Sequence, residues 1–282
     1  MKAVKTATIF LLCIIHSCAK ESFYMPCNIF FKGSLEQSIK SSTYLSSGVK
    51  ASIFIFNALT NCETNLTPDV YLFSDGFFGM YPSRLITVQS DLYNFFSVSY
   101  NNTSHPYLTF DNNYLAIPEN NRDYIWASKQ AVYIYNNSYV QLIYKHIATK
   151  TDITINIPES FTNVSINYIK FTLPDCSSSY INLKTGEILP ASLVQPLSLL
   201  EGSGNNRSFL SIPCNAQKQI EISINATVES ISTNNIIYKS FINEPFEAGI
   251  FYTVNVDIET LLNSSITLTR NEWSYNSNYI PY

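Results

Sequence analysis

The sequence predicts an all-β protein, folded as one β-sandwich or as a pair of them. Short apolar runs recur about every ten residues, separated by turn-forming residues, which is the pattern of strands joined by tight turns. The 20 Tyr and 18 Phe residues favour strands. No amphipathic stretch is long enough to predict a helix, and Pro196 interrupts the Leu-rich residues 193–200.

Hairpins organise the first half of the chain. A buried strand is predicted at 49–56, and the hairpin at 71–78 turns at Asp75-Gly76, a strong short-range hairpin signal. Before them, residues 28–31 indicate a short strand, whereas Gly33 and the serines that follow it indicate a loop. Further hairpins are predicted at 107–117, at 131–147 around Asn136-Asn137, and at 182–189 around Lys184-Thr185-Gly186.

Alternation of apolar and polar residues marks the strands of the second half. It is regular at 153–157, 220–228 and 252–258, as expected for strands with one buried face. Between 164 and 173 the alternation slips by one position, which predicts a β-bulge or a buried edge. A last strand at 266–268 is followed by Trp273 and a polar tail.

The chain is long enough for one large or two smaller domains, each able to bury a core. No low-complexity linker separates them. We place the boundary in the turn at 136–138, which gives an N-terminal domain at 51–137 and a C-terminal domain at 138–282.

The N-terminus has the features of an export signal. Lys2 and Lys5 give a basic start, and an apolar run at 7–15 leads to Cys18. A cysteine at this point resembles a bacterial lipobox, in which the signal peptide 1–17 is removed and Cys18 carries a lipid. An ordinary signal peptide that contains cysteines is the alternative. No later apolar run is long enough to span a bilayer, so membrane attachment would depend on Cys18.

The remaining cysteines leave the disulfide state open. Of the 6 cysteines, Cys13 lies in the signal and Cys18 is the lipid candidate. Local pairing would join Cys27 to Cys62 and Cys176 to Cys214, and buried free thiols are the alternative. No cysteine or histidine spacing indicates a metal site.

Composition argues against several classes of function. The net charge is −4 without a basic cluster, which excludes a nucleic-acid footprint. With 8 glycines the chain has no phosphate-binding loop, and no nucleophile–base motif stands out, so neither an enzyme nor a cofactor is expected. His146 shares a strand face with Val140 and Leu142, which is typical of a core or interface histidine, and His105 is expected in an exposed loop.

Three stretches carry a resemblance to a known family. They are Tyr124-Ile125-Trp126-Ala127 with the strand 140–148, the stretch 246–256, and Ile266-Thr267-Leu268 with Trp273. Together with Cys18-Ala19-Lys20-Glu21, they resemble the fimbrillin family, the type V pilus subunits of Bacteroidales bacteria, which are made as surface lipoproteins.

The resemblance implies two transthyretin-like β-sandwich domains in tandem and assembly by strand exchange. A protease would remove an N-terminal segment, here 18–50, and open a groove that a neighbour's strand fills. The candidate donor is the C-terminal strand and tail, Ile266 to Tyr282. Processing in the family follows an Arg, but no Arg occurs between Cys18 and Arg84, so Lys40 and Lys50 are the candidate sites.

The expected function is therefore that of a structural, tip or accessory subunit of a surface pilus that supports adhesion. Its partners would be other pilin subunits, the outer membrane through Cys18, and a host or bacterial receptor. One alternative is a surface glycan-binding lipoprotein. Another is a secreted N-glycosylated protein of non-bacterial origin, because Asn-x-Ser/Thr sites occur at Asn65, Asn101, Asn163, Asn225 and Asn263.

Overall fold

The structure, a computed structural model, is built from β-strands. It describes residues 25–36, 42–64, 69–80, 85–106, 110–111, 115–116, 122–174, 179–189, 196–202 and 206–273, and contains no helix within those ranges. The first strands are β1 (Pro26–Glu36), β2 (Ser42–Tyr44), β3 (Lys50–Asn57), β4 (Asp69–Leu72), β5 (Phe77–Gly79), β6 (Ile86–Gln89), β7 (Asp91–Ser99), β8 (Phe110–Asp111), β9 (Leu115–Ala116), β10 (Ile125–Ile134) and β11 (Ser138–His146). The others are β12 (Thr149–Asn156), β13 (Phe161–Pro174), β14 (Tyr180–Asn182), β15 (Ile188–Leu189), β16 (Pro196–Gly202), β17 (Asn206–Ser211), β18 (Lys218–Val228), β19 (Ile231–Ile242), β20 (Ile250–Ile258) and β21 (Ser264–Glu272). The expectation of an all-β fold is confirmed.

The N-terminal half forms a sheet that closes on itself. Its strand order is β11-β10-β7-β3-β4-β5-β1, and β1 pairs in turn with β11. The short strands β2 and β6 also pair with β1. Apolar residues on the inner faces of these strands form one core cluster, which includes Ile53, Phe95 and Leu142. The first strand therefore lies at the point where the ring of strands closes.

The C-terminal half is a β-sandwich of two four-stranded sheets. One sheet has the order β17-β12-β20-β21 and the other β16-β13-β18-β19. Inward residues of both sheets, such as Val254 and Ile222, belong to a single core cluster. In β13 the register shifts between Thr162 and Ser165 and again between Ile166 and Tyr168. The second shift lies within 164–173, so the β-bulge predicted there from the slip in alternation is confirmed.

A third core joins the two halves. It contains Phe54 and Phe96 from the first sheet, Ile181 and Leu183 from β14 and the turn after it, and Trp273 after the last strand. Strands β3 and β7 are therefore buried on both faces, because their alternate residues belong to the first core and to the junction core. Continuous apolar runs are what such strands require, and this explains the uninterrupted pattern predicted at 49–56.

Several sequence-based boundaries need correction. A domain boundary between 137 and 138 would remove β11 from its sheet, since β11 pairs with β1 and β10 of the N-terminal half. The chain passes to the second half at Ile147 and Ala148, which lie in the junction core. The loop predicted at Gly33 is also wrong, because Gly33 lies inside β1.

The hairpins predicted at 71–78, 107–117 and 182–189 are confirmed as β4–β5, β8–β9 and β14–β15. Strands β10 and β11 pair only at Ile125–His146 and Trp126–Lys145, so the predicted hairpin at 131–147 opens towards its turn.

Within the described ranges, no helix is long and apolar enough to cross a membrane.

Candidate functional site

The first strand, β1, is enclosed along its inner face and along both of its edges. Its residues alternate between buried and partly exposed positions, and Ile29, Phe31 and Leu35 are at most 1% exposed. Burying each of these side chains stabilises the fold by about 2 kcal/mol. A sheet without β1 would therefore expose a long apolar groove to water.

Neighbouring strands surround β1 on both edges. Seven residues, Ile29 to Leu35, pair in parallel with Ser138 to Tyr144 of β11. The opposite edge pairs in antiparallel fashion with β6, β5 and β2 in succession. Without β1, the facing edges of β11 and of these three strands would have unpaired backbone groups, which are the preferred targets of an added strand.

The floor of this groove is aromatic. Phe31 packs edge-on against Phe95 at a centroid distance of 5.3 Å, and Phe78 lies 6.0 Å from the ring of Tyr144. The Tyr144 hydroxyl is 2.6 Å from Ser97 Oγ. Burial raises the pKa of Tyr144, and the hydrogen bond with Ser97 offsets part of that rise. At neutral pH the floor therefore carries no charge.

Gly33 is the one inward position of β1 without a side chain. A Cβ atom at Gly33 would lie 3.0 Å from Phe78 Cζ, closer still to Phe78 Cε2, and 3.2 Å from Leu45 Cδ1. Such contacts are too short for a real side chain unless the buried Phe78 ring moves. Sequence reasoning missed this role, although the alternation at 28–31 continues through Gly33 to Leu35.

Of the two candidate processing lysines, the structure describes only Lys50. Lys40 lies outside the described residues. Lys50 begins β3, where its backbone N–H donates to Asn102 O at 2.9 Å and its carbonyl accepts from Ser99 Oγ at 2.6 Å. Both hydrogen bonds fix the backbone in place, so Lys50 is a poor substrate for a protease that needs an extended, mobile segment.

The cysteines that the structure describes are free thiols. Cys27 is buried in β1 and Cys62 is exposed, so the predicted pairing of these two is not formed. Cys214 is also buried and free. Burial raises the pKa of the Cys214 thiol, and the nearby Lys218 ammonium partly offsets this effect. Its predicted partner Cys176 lies outside the described residues, as does the lipidation candidate Cys18.

Part of the candidate donor segment is already a strand of the C-terminal sandwich. Of Ile266 to Tyr282, the residues up to Glu272 belong to β21, which pairs with β20 along its whole length. Trp273 is 8% exposed, and its backbone N–H donates to Gly249 O at 3.1 Å. Residues 274–282 lie outside the described part of the chain.

Trp273 is held by His146 at the junction of the two halves. The rings stack at a centroid distance of 4.0 Å and an interplanar angle of 10°. His146 Nδ1 lies 2.8 Å from Asp123 Oδ1, and Asn101 Nδ2 donates to Asp123 Oδ2 at 2.9 Å. The expectation that His146 is a core or interface residue is confirmed, while His105 is half-buried rather than exposed.

Solved structures share this fold at low sequence identity. A proposed cell adhesion protein from Bacteroides uniformis is 13% identical, and the alignment covers 88% of this chain and 98% of that protein's chain, with a TM-score of 0.61. One from Bacteroides ovatus is 14% identical, with 90% and 99% covered and a TM-score of 0.61. One from Bacteroides fragilis is 13% identical, with 90% and 100% covered and a TM-score of 0.58. No curated protein matches the chain in sequence.

The fold defines an all-β protein with the architecture of these three structures. The fimbrillin-like family model matches residues 46–273, and the chain therefore belongs to the fimbrillin-like family. The resemblance in the sequence is confirmed. Membership supports the role of a pilus subunit that acts in adhesion at the cell surface, and it favours a structural protein over an enzyme.

Proposed function

We propose that the protein is a pilus subunit that assembles by strand exchange, with β1 as the strand that is exchanged. The enclosed position of β1 carries this proposal: it fills a groove about seven residues long and buries the apolar side chains of Ile29, Phe31 and Leu35. An incoming strand would restore both the hydrogen bonds and the apolar contacts. In this proposal the two halves are transthyretin-like sandwiches in tandem, and β1 closes the N-terminal one into a ring of strands.

Export as a lipoprotein would precede assembly. A lipid on Cys18 would tether the subunit to the outer membrane at the cell surface, with β1 protecting the groove. Cleavage in the segment 37–41, at Lys40, would then detach β1 from the rest of the chain. Lys50 is the less suitable site because its backbone is hydrogen bonded within β3.

Two parts of Ile266 to Tyr282 differ in their availability as a donor. Strand β21 pairs with β20 through nine residue pairs, from Ile258–Ser264 to Ile250–Glu272. Donating β21 would open the subunit's own sandwich. We therefore propose that the donor begins after Trp273, which the stack on His146 holds in place.

A reversible lock on β1 tests strand exchange. Lys32 and Gln141 are register partners on β1 and β11, so replacing both with cysteine allows a disulfide across the groove edge. We expect the double variant to reach the cell surface but to form no polymers, and a reductant to restore polymers. The readout is the ladder of stable oligomers on a non-reducing gel.

A lock at Thr253 and Thr269, which are partners on β20 and β21, is the matched control. It should leave polymers unaffected if the donor begins after Trp273. Polymers formed by the Lys32–Gln141 lock without reductant would exclude exchange of β1. Loss of polymers in the control would instead assign the donor role to β21.

Glycan binding is a second candidate, because an aromatic surface lies on the outer face of the first sheet. Tyr139 is 72% exposed and stacks on Phe30 at 5.2 Å, with Phe77 at 6.1 Å. Flat exposed rings can contact the apolar face of a pyranose. Oligosaccharide binding that is lost in Tyr139→Ala and kept in Ile237→Ala, an exposed change on β19, would support this candidate. Equal binding by both variants would exclude this surface.

The N-glycosylated alternative receives less support. Asn101 Nδ2 donates to the buried Asp123, and Asn225 Nδ2 donates to Asn167 Oδ1 at 3.1 Å. A glycan would replace one of the two hydrogens of either amide and would add a bulky group beside these partners. The sites at Asn163 and Asn263 also donate hydrogen bonds, to Thr227 and Glu259.

A further inference from the structure

The groove beneath β1 accepts different sizes of side chain along its length. The inward positions of β1 hold, in order, Cys27, Ile29, Phe31, Gly33 and Leu35. Four of them fill space with a side chain, and Gly33 alone leaves its position to the side chain of a neighbouring strand. That neighbour is Phe78 of β5.

Phe78 cannot easily give way to a side chain at position 33. It is 1% exposed, packs against the Tyr144 ring at 6.0 Å, and its Cζ is 3.0 Å from the place of a Cβ atom on Gly33. Leu45 closes the same space from another side. Forcing extra atoms into a packed core displaces side chains and backbone and is destabilising.

We propose that the groove, once β1 has been cleaved off, selects strands with a glycine opposite Leu142 of β11, and therefore takes its donor from a different protein rather than from the C-terminal segment of a second copy of this chain. The inference rests on the strand exchange proposed above and names the partner. Gly33 is the register partner of Leu142. The donor would run parallel to β11, with an inward aromatic residue two positions before the glycine and an inward leucine-sized residue two positions after it.

The C-terminal segment of this chain does not have that pattern, because residues 250–282 contain no glycine. If Ile266 and Leu268 took the places of Ile29 and Phe31, Arg270 would take the place of Gly33, and its side chain would meet Phe78. With Tyr275 and Tyr279 on either side, Ser277 would take the glycine position, and its Cβ atom would meet the same obstruction. The segment therefore suits a groove of a different subunit.

Displacement of β1 by peptides tests this selection. The full chain is given a protease site within 37–41, nicked so that the N-terminal fragment stays bound, and labelled on that fragment. Release of the label is then measured with an excess of the peptide Pro26–Glu36, of the same peptide with Gly33→Val or Lys32→Val, or of the peptide Ile266 to Tyr282. Lys32→Val is the matched control, because Lys32 faces outward beside Gly33.

We expect the unchanged and Lys32→Val peptides to displace the fragment at similar rates. The Gly33→Val and C-terminal peptides should act at least about tenfold more slowly. A nicked chain that also carries Phe78→Ala should accept the Gly33→Val peptide, because the substitution removes the obstructing ring.

Displacement by the Gly33→Val peptide or by the C-terminal peptide at the unchanged rate would overturn the selection while leaving strand exchange in place. If the unchanged peptide displaces nothing, the groove does not exchange strands, and both the proposed function and the selection fail.

Discussion

Tyr144 illustrates how one buried side chain sets the chemistry of the groove floor. It lies on β11 and belongs to the core beneath β1. Ser97 Oγ donates to Ser52 O at 3.0 Å, so the hydroxyl of Tyr144 donates to Ser97 Oγ at 2.6 Å. Because burial raises the pKa of Tyr144, the folded protein keeps this proton at pH values where the unfolded chain loses it.

Replacing Tyr144 with Phe should change how stability depends on pH. At neutral pH the lost hydrogen bond should lower the free energy of unfolding by about 1 kcal/mol. For a raised pKa, the stabilisation is present below the unfolded value of 10.0 and is lost as pH rises above it. Tyr144→Phe should therefore lose less stability than the wild type on alkaline titration, as measured by urea unfolding.

In Tyr144→Phe, the free energy of unfolding should still fall with rising pH, but less steeply than in the wild type. Some dependence remains because burial also raises the pKa values of Tyr93, Tyr238 and Tyr252. Ile143→Ala is the control, since Ile143 lies exposed on the same strand and has no titratable group. If the free energy of unfolding of Tyr144→Phe fell with rising pH as steeply as that of the wild type, Tyr144 would not contribute to the alkaline loss of stability.

Whether an element could be predicted from the sequence depended on how far apart its partners lie. The hairpins β4–β5 and β14–β15 turn at Gly76 and Gly186, both at positive φ, so the local sequence specifies them. Strands β1 and β11 are far apart in the chain: just before their first paired residues, Asn28 Nδ2 donates to Asn137 Oδ1, 109 positions away. Two-residue periodicity indicates which face of a strand is buried, but it carries no information about its distant neighbour.

The same limit explains what was missed at the candidate site. A glycine followed by serines is the usual signature of a loop, and only the contact with Phe78 shows why Gly33 belongs in a strand. The histidine–apolar pattern was sufficient to place His146 in a packed environment. Its partners Asp123 and Trp273 could not be predicted, because they come from a loop and from the end of the last strand.

At the scale of the whole molecule, the junction core joins the halves through Trp126. Its Nε1 donates to Leu183 O at 2.8 Å, and its ring covers Gly186, where a Cβ atom would lie 2.5 Å from Trp126 Cδ2. Lys145 Nζ lies over the Trp126 ring, 4.9 Å from the ring centroid. The two halves should therefore unfold together.

Trp126→Phe tests this coupling, because it removes the hydrogen bond and leaves a cavity at the junction. We expect a loss of about 2 kcal/mol in the free energy of unfolding and the separation of one calorimetric transition into two. Tyr133→Phe, on the exposed side of the same strand, is the control. A single transition with an unchanged midpoint would show that Trp126 does not couple the halves.

The parallel register of β1 and β11 determines how a strand in this position responds to a pulling force. Its hydrogen bonds to β11 are evenly spaced over the pairs from Ile29–Ser138 to Leu35–Tyr144. A force directed along the strand axis loads these pairs in shear, so that they share it, whereas a force across the axis would break them one after another. A donor strand in the place of β1 would therefore resist a pull along its own axis better than a pull across that axis.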